Sequence, residues 1–411
     1  MTSTFKCKVC TTGKLKRFLE LGNIPPVNAF LDEREISAEK SYPLNLCYCT
    51  SCLLVQLEEI VDPNELFSNY LHLSSSSPGN VNHLSKVADI LYSRFKIDRN
   101  TKILEIGSND GTLLSFLKKH TDNVLGVDPA KNLVELSAKI NVETLPVFFN
   151  TSTVNDIIND KGKFDIVVAL NVIPHTPDVV DLLKGVKKIL KPMGTLVMEG
   201  AYALETILQG EFDTIYHEHV YSFSLHSLIS TFQLAGLKIV DVEKIPTQGG
   251  SLRIFSKLEE ENLSSSPSVL KLLKEEEIAG LNDSKIHDSV DFKVRIFKDN
   301  FRNIINEEKN KTGKLIGLGA PARGVVILNY CGIGKNDIDF IVDDTILKQG
   351  RFTPGVHIPV KSWEAIRPDN RQNFVLLSWN YKDSILQKLK SVASSGKVIV
   401  PFPSLGVESF G

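Results

Sequence analysis

The sequence predicts an α/β protein in three parts: a small cysteine-bearing N-terminal module, then two open, mostly parallel sheets with helices on both faces. Three observations carry the prediction. Two Cys-x-x-Cys pairs stand within the first 52 residues, among short elements broken by Pro and Gly. From about residue 69 to 250, short apolar runs alternate with amphipathic stretches, the pattern of a parallel sheet covered by helices. The same texture restarts after a helical stretch near residues 290–305. The parts divide as 1–68, 69–250 and 251–411, the last holding a helical linker and the second sheet.

In the central part "KILEIG" reads as a buried strand, "TLLSFLKKH" as a helix, "NVLGVD" as a strand and "NLVELSAKI" as a helix. "FDIVVALNV", the helix "DVVDLLKGVKKIL" and the strand "GTLVMEG" continue the alternation. The Ser-rich, acidic stretch "KLEEENLSSSPSVLKLLKEEE" marks an interruption or linker. Beyond it Val290, Val294, Phe297, Phe301, Ile304 and Ile305 recur at helical spacing and predict one buried stripe. "GKLIGLGAPARGVVILNYC", "IDFIVDD", "NFVLLSW" and "KVIVPFP" then build the second sheet. No short repeat is present, so a solenoid is excluded.

Composition narrows the function. A chain of 411 residues has room for two or three domains, each with its own core. Lys and Arg number 47 against 49 Asp and Glu, a net charge of −2. That balance disfavours a general nucleic-acid or anionic-membrane binder, which carries a basic excess. No apolar run approaches the roughly 18 residues of a membrane span, and "MTSTFKCKVC" lacks an apolar signal-peptide core. Six cysteines in a chain this long, four in two close pairs, do not suggest a disulfide framework. The expectation is a cytoplasmic protein with a small-molecule substrate and neither nucleic acid nor membrane as partner. The oligomeric state is not fixed by the sequence; a monomer is expected.

Cys7 and Cys10 form one pair, Cys49 and Cys52 the other. Thiolates three residues apart on a tight turn can face one ion, and two such turns give tetrahedral sulfur coordination of Zn²⁺. Four thiolates leave no open position, so the expected zinc is structural. Cys47 would point to the opposite face of an extended segment, and Cys331 reads as core.

"ILEIGSNDGTLL" places Glu105, Gly107 and Gly111 between a strand end and a helix start. Glycines there let a ligand approach the backbone, and Asp128, about twenty residues on in "LGVDP", can accept both ribose hydroxyls. The spacing departs from the phosphate-binding GxGxxG, and the loop carries its own acid, Asp110, beside Asn109. An acidic loop suits a cofactor without phosphates, and S-adenosylmethionine is the commonest such case. Asn171, ending the fourth strand, would lie beside the same crevice. A second glycine turn, "GLGAPARG", precedes "FIVDD" with Asp343 at a strand end. It reads equally as a nucleotide site or as a binding pocket without catalysis.

The order CxxC…CxxC, "PPVNAF", "EIGSNDG", "LNVIPHTPD", "YHEHVYSFS", "QGGSLR", "GAPARG" and "KQGRFTPGVHIP" resembles the sugar C-methyltransferase family. These are S-adenosylmethionine enzymes that put a methyl branch on C3 of nucleotide-linked deoxyhexoses. The resemblance covers nearly the whole chain, and its motifs around 216 and 249 are specific. It implies a zinc module, a central class I methyltransferase domain, a C-terminal Rossmann-like domain and a dTDP-4-keto-deoxysugar substrate. Carried over by position, the family's catalytic tyrosine falls on Tyr70 and its histidine after the fourth strand on His175. Its Tyr-x-Glu-His group falls on Tyr216, Glu218 and His219, the last being the family's base. "QGGSLR" implies a close backbone approach to the nucleotide sugar through Gly249 and Gly250, with Arg253 a pyrophosphate or a core-facing partner.

Carbon methylation needs a carbanion-like carbon, which a neighbouring ketone supplies by storing charge as an enolate. A neutral His219 can accept the proton near neutral pH, while Tyr70 and His175 are candidates for donating to the enolate oxygen. Tyr216 and His219 are three apart, which suits a turn better than a straight strand. His217 and Tyr221 read as packing or surface. The alternative expectation keeps the cofactor and methylates oxygen or nitrogen on a nucleotide sugar or other small metabolite.

Overall fold

Three sheets organise the described residues (2–67, 73–281, 283–367 and 372–411) of the computed structural model. The first is antiparallel, with β1 (Thr2–Lys6), β2 (Lys14–Ile24), β3 (Tyr42–Cys49) and β4 (Val55–Leu57) in that order. Its two hairpin turns carry the cysteine pairs. Both turn in the same way: Thr11 and Leu53 stand at φ 58, and their N–H groups donate to the carbonyls of Cys7 and Cys49.

The second sheet comprises β5 (Ile103–Ile106), β6 (Val124–Val127), β7 (Thr144–Leu145), β8 (Phe164–Leu170) and β9 (Leu190–Ala201), all parallel. A short strand, β10 (Tyr221–Ser222), leaves this succession and pairs with β4, adding a fifth strand to the first sheet. β11 (Leu237–Ile245) and β12 (Ser251–Leu258) form a hairpin that completes the second sheet in the order β11-β12-β9-β8-β5-β6-β7, with β12 antiparallel to its neighbours. The sheet therefore runs past residue 250, and β12 belongs with the strands before it. Strand burial explains the near-continuous apolar runs: β5, β6 and most of β8 are buried on both faces.

The helix Ser284–Thr312 carries the stripe expected of it. Val290, Val294, Phe301 and Ile305 are buried, with Phe297 and Ile304 packed at the margin. The helix packs against both β2 and the third sheet. That sheet holds β13 (Leu315–Leu318), β14 (Ile338–Val342), β15 (Val360–Lys361), β16 (Gln372–Leu376), β17 (Gly396–Val400) and β18 (Gly406–Phe410), in the order β15-β14-β13-β16-β17-β18. Only β18 runs antiparallel. Among the described residues no helix is long and apolar enough to cross a membrane.

Candidate active site

The four paired cysteines converge. Their sulfurs lie within 4.8 Å of one another, with Cys7 and Cys52 3.7 Å apart and Cys10 and Cys49 3.6 Å apart. Tetrahedral zinc with bonds of about 2.3 Å requires sulfur–sulfur separations of about 3.8 Å, so the set fits the ion. N–H donors face the sulfurs, as thiolates require: Gln56 Nε2 at 3.2 Å from Cys7 and the Gly13 amide at 3.3 Å from Cys10. Gly13 is obligatory, since an added Cβ would collide with Cys49 Sγ. Cys47 stands outside the group, its thiol pushed up to about 12 by burial, and Cys331 is a buried core thiol.

At the carboxyl ends of β5 and β8 the strand order reverses, and crevices form at such switch points. A cleft of about 750 Å³ opens there and continues onto the third sheet. Glu105, Gly107, Asn109, Asp128 and Asn171 all line it. Gly107 sits at φ 68 where the turns after β5 and β8 touch, and an added Cβ would collide with Val172. Asp128 accepts from the amides of Asn109 and Ala130, each at 2.9 Å, which moulds the loop around the carboxylate. Glu105 Oε2 is buried with no hydrogen-bond partner among the described residues, and burial holds its carboxyl well above the usual range, helped by Asp110 and Asp128. Arg323 and Lys348, both from the C-terminal part, are the Lys and Arg side chains among the described residues lining the cleft. An orphaned acid with the Asp110 and Asp128 carboxylates close by suits a positively charged ligand without phosphates, so the residues fit S-adenosylmethionine. Asp110 and Gly111 stand behind the lining instead. Asp110 holds the amide of Ser75 at 2.9 Å and the hydroxyl of Thr112 at 2.5 Å, while Gly111, at φ 80, begins the helix Thr112–Leu117.

Residues 215–220 form a turn rather than a strand, closed by the His219 amide donating to the Tyr216 carbonyl at 2.8 Å. The turn splits its side chains. Tyr216 and His219 line the cleft with their rings 3.9 Å apart, and His175 meets His219 edge-on at 4.7 Å. His217 and Glu218 point instead to the N-terminal module: His217 lies 3.3 Å from the Tyr42 carbonyl, and Glu218 accepts from Asn28 Nδ2 at 2.6 Å. His219 Nδ1 lies 2.6 Å from the Thr214 carbonyl. A carbonyl only accepts, so Nδ1 carries the proton and Nε2 keeps its lone pair. Burial lowers the His219 pKa to about 4, while it pushes the Tyr216 phenol well up. At neutral pH the pair is thus a neutral imidazole beside a protonated phenol.

Several predicted residues sit elsewhere. Tyr70 lies outside the described residues. Arg253 is a core partner, not a ligand for phosphate: its Nε and Nη2 donate to Glu199 at 2.7 and 2.6 Å, and Nη1 to Glu243 at 2.9 Å. β12 pairs with both β9 and β11, so Arg253 faces these two acids across the strands. Gly249 and Gly250 are also absent from the cleft lining, and their close backbone approach is to the side chains of Glu211 and Glu205. Conversely, Asn28, Phe148, Arg323, Lys348 and Tyr381 line the cleft without having been singled out as site residues. Asn28 and Arg323 stand inside the motifs "PPVNAF" and "GAPARG", the one signal that could have found them.

Three family models match the chain in succession: "Putative zinc binding domain" over residues 7–67, "Methyltransferase domain" over 82–242 and "C-methyltransferase C-terminal domain" over 246–403. C-methyltransferase NovU of Streptomyces niveus is 30% identical over 400 residues, covering 97% of this chain and 95% of that protein. The ubiquinone biosynthesis O-methyltransferase of Bartonella tribocorum is 33% identical over 99 residues, 24% of this chain and 40% of that one. A solved S-adenosylmethionine-dependent methyltransferase from Anabaena variabilis shares 14% identity over 43% of this chain and 84% of its own, with a TM-score of 0.35. With one relative aligned almost end to end and all three models in register with the cysteine cluster, the cofactor crevice and the last sheet, the chain belongs to the C-methyltransferase family of S-adenosylmethionine-dependent enzymes.

Proposed function

We propose that the chain transfers the S-adenosylmethionine methyl group to C3 of a nucleotide-linked 4-keto-deoxysugar, with His219 as the base. The observation that carries the reading is the Nδ1 contact of His219 with the Thr214 carbonyl, which leaves Nε2 an acceptor in a cleft shared with the acidic cofactor pocket. Bound S-adenosylmethionine supplies the electrophilic methyl, and Glu105, Gly107, Asn109, Asp128 and Asn171 are the residues to hold it. His219 Nε2 takes the C3 proton, and the electron pair moves onto the C4 oxygen. His175 and Tyr216 donate toward that oxygen, and Tyr70, outside the described residues, is a further proposed donor. Such donors stabilise a developing oxyanion by about 2.7–4 kcal/mol each where one has been removed. Glu218 acts one step back by fixing Asn28 in the cleft wall.

The three proposed parts divide the labour. Residues 1–68 build the zinc module and 69–250 hold cofactor and base. Residues 251–411 offer the nucleotide the continuation of the cleft past Gly319, Arg323, Lys348 and Asn380. The test supplies methyl-¹³C cofactor with a panel of dTDP-4-keto-6-deoxyhexoses and locates the label by carbon–carbon coupling. A methyl bonded to C3 is the expected product. Label on oxygen, or on none of the panel, would contradict the assignment.

A further inference from the structure

The turn that supports the base lies between β9 and β10 in the chain, yet it is gripped by the C-terminal part. Phe212 packs against Phe297, Tyr330 and Phe402, with ring centroids 5.3, 5.1 and 6.0 Å away. Asp213 is fully buried beside it. Arg323 holds that carboxylate with two prongs, Nε to Oδ2 at 3.0 Å and Nη2 to Oδ1 at 2.8 Å. Trp379 Nε1 donates to Oδ2 at 2.8 Å, and the guanidinium lies 4.3 Å over the Trp379 ring. Arg323 Nη2 also reaches Glu211 at 2.8 Å. Burial pushes Glu211 up to about 7, while Asp213 takes both prongs of the guanidinium. The next residue is Thr214, whose carbonyl receives His219 Nδ1.

Three successive residues thus serve as apolar anchor, ion-pair anchor and support for the base. Arg323 belongs to the helix Ala322–Cys331, directly after the second glycine turn, and lines the cleft with Thr214, Tyr216 and His219. We propose that Arg323 and Asp213 are positioning residues: through their two-pronged pair the C-terminal sheet sets the Thr214 carbonyl and, with it, which nitrogen of His219 carries the proton. The inference rests on His219 being the base.

The physical argument is geometric. A guanidinium fork fixes the orientation of a carboxylate as well as its distance, and Asp213 adjoins the carbonyl in question. The 2.6 Å contact would not survive a shift of the turn by about 1 Å, since hydrogen bonds fade beyond roughly 3.2 Å. Once that contact is lost, a neutral imidazole can move its proton to Nε2, and a protonated Nε2 cannot accept one from substrate. The base is therefore competent when the C-terminal sheet is docked.

The test uses the full-length, zinc-loaded chain with ¹⁵N-labelled histidine, the His219 signals being assigned by their loss in His219→Gln. Wild type is expected to hold the proton on Nδ1, and Arg323→Met to lose that preference. Hydrogen exchange at C3 of dTDP-4-keto-6-deoxyglucose in heavy water should fall by about tenfold to a hundredfold in the variant, with cofactor affinity by calorimetry within about twofold. Arg323→Lys keeps the charge without the fork, so it should recover little. A variant that no longer binds S-adenosylmethionine has lost its fold, and the near-isosteric Asp213→Asn then decides by the same tautomer signals. Unchanged signals in Arg323→Met, or in Asp213→Asn where it decides, would overturn the inference. Wild type that exchanges nothing while the tautomer still shifts would contradict the proposed reaction and leave the positioning role supported.

Discussion

At His219 two effects act on one ring. The Thr214 carbonyl selects the tautomer, and burial, with the Arg323 charge adding to it, keeps the ring neutral by lowering its pKa to about 4. A base whose pKa is depressed stays competent as pH falls, until that pKa is reached. Cofactor-saturated C3 exchange should therefore hold from pH 7 to pH 5, where a histidine of ordinary pKa would be about 97% protonated. An acid limb centred near 6.5 would argue against it. Arg253 is the opposite lesson. In a glycine-rich motif it reads equally as a pyrophosphate ligand or a core-facing partner, because a sequence shows the residue and not the strand register that sets Glu199 and Glu243 across from it. Removing it takes the guanidinium from Glu199, which is only 1% exposed and keeps just the His83 Nε2 contact at 2.7 Å among the described residues. Arg253→Ala should lose about 3–5 kcal/mol in denaturant unfolding, with substrate KM unchanged where the variant remains folded. A raised KM without lost stability would restore the ligand reading.

At the scale of elements, what is periodic or closely spaced is legible in the sequence. The strand–helix alternation, the stripe of helix Ser284–Thr312 and both cysteine turns are local patterns, and each has its place in the structure. β10 is different. Two residues carry no periodicity, and their pairing with β4, more than 160 positions away, is settled by the tertiary fold. That pairing ties the cysteine cluster to the turn of the proposed base, because Gln56 bonds Cys7 through its side chain while its strand position opposes Tyr221, two residues after His219. Tyr221 in turn donates to the Pro177 carbonyl at 2.6 Å, steadying the loop that carries His175. Removing zinc with a strong chelator, or substituting Cys52→Ser, should lower the unfolding temperature and abolish methyl transfer. The cofactor affinity of the remaining folded chain should change by no more than about twofold, because a closed four-sulfur site is structural rather than catalytic. Full activity in metal-free protein would contradict this link.

Across the whole molecule, the loop from Phe212 to Tyr221 is where the three sheets meet. The third sheet's part grips Phe212 and Asp213, the first takes β10, and the second supplies the cofactor crevice. A second seam joins the first sheet to the helix Ser284–Thr312 through His287, which stacks on Tyr48 at 4.3 Å and meets Phe18 at 5.0 Å. Among the described residues neither ring nitrogen of His287 has a hydrogen-bond partner, and burial lowers its pKa to about 4. The unfolded chain binds this proton below about 6.5 and the folded chain only near 4, so stability falls as pH drops between those values. The loss attributable to this residue reaches about 3 kcal/mol at the acid end. It should be absent from His287→Phe compared with wild type at pH 7 and pH 4.5; an equal acid loss in both would assign it elsewhere. All of this architecture serves one proposed event, removal of a proton by His219. Wild type and His219→Asn, each with bound S-adenosylhomocysteine to block transfer, should be incubated with dTDP-4-keto-6-deoxyglucose in heavy water and followed by proton NMR at C3. Wild type should exchange that hydrogen and the variant should be slower by about 10²–10⁴-fold; exchange at the wild-type rate in His219→Asn would show that the base lies elsewhere.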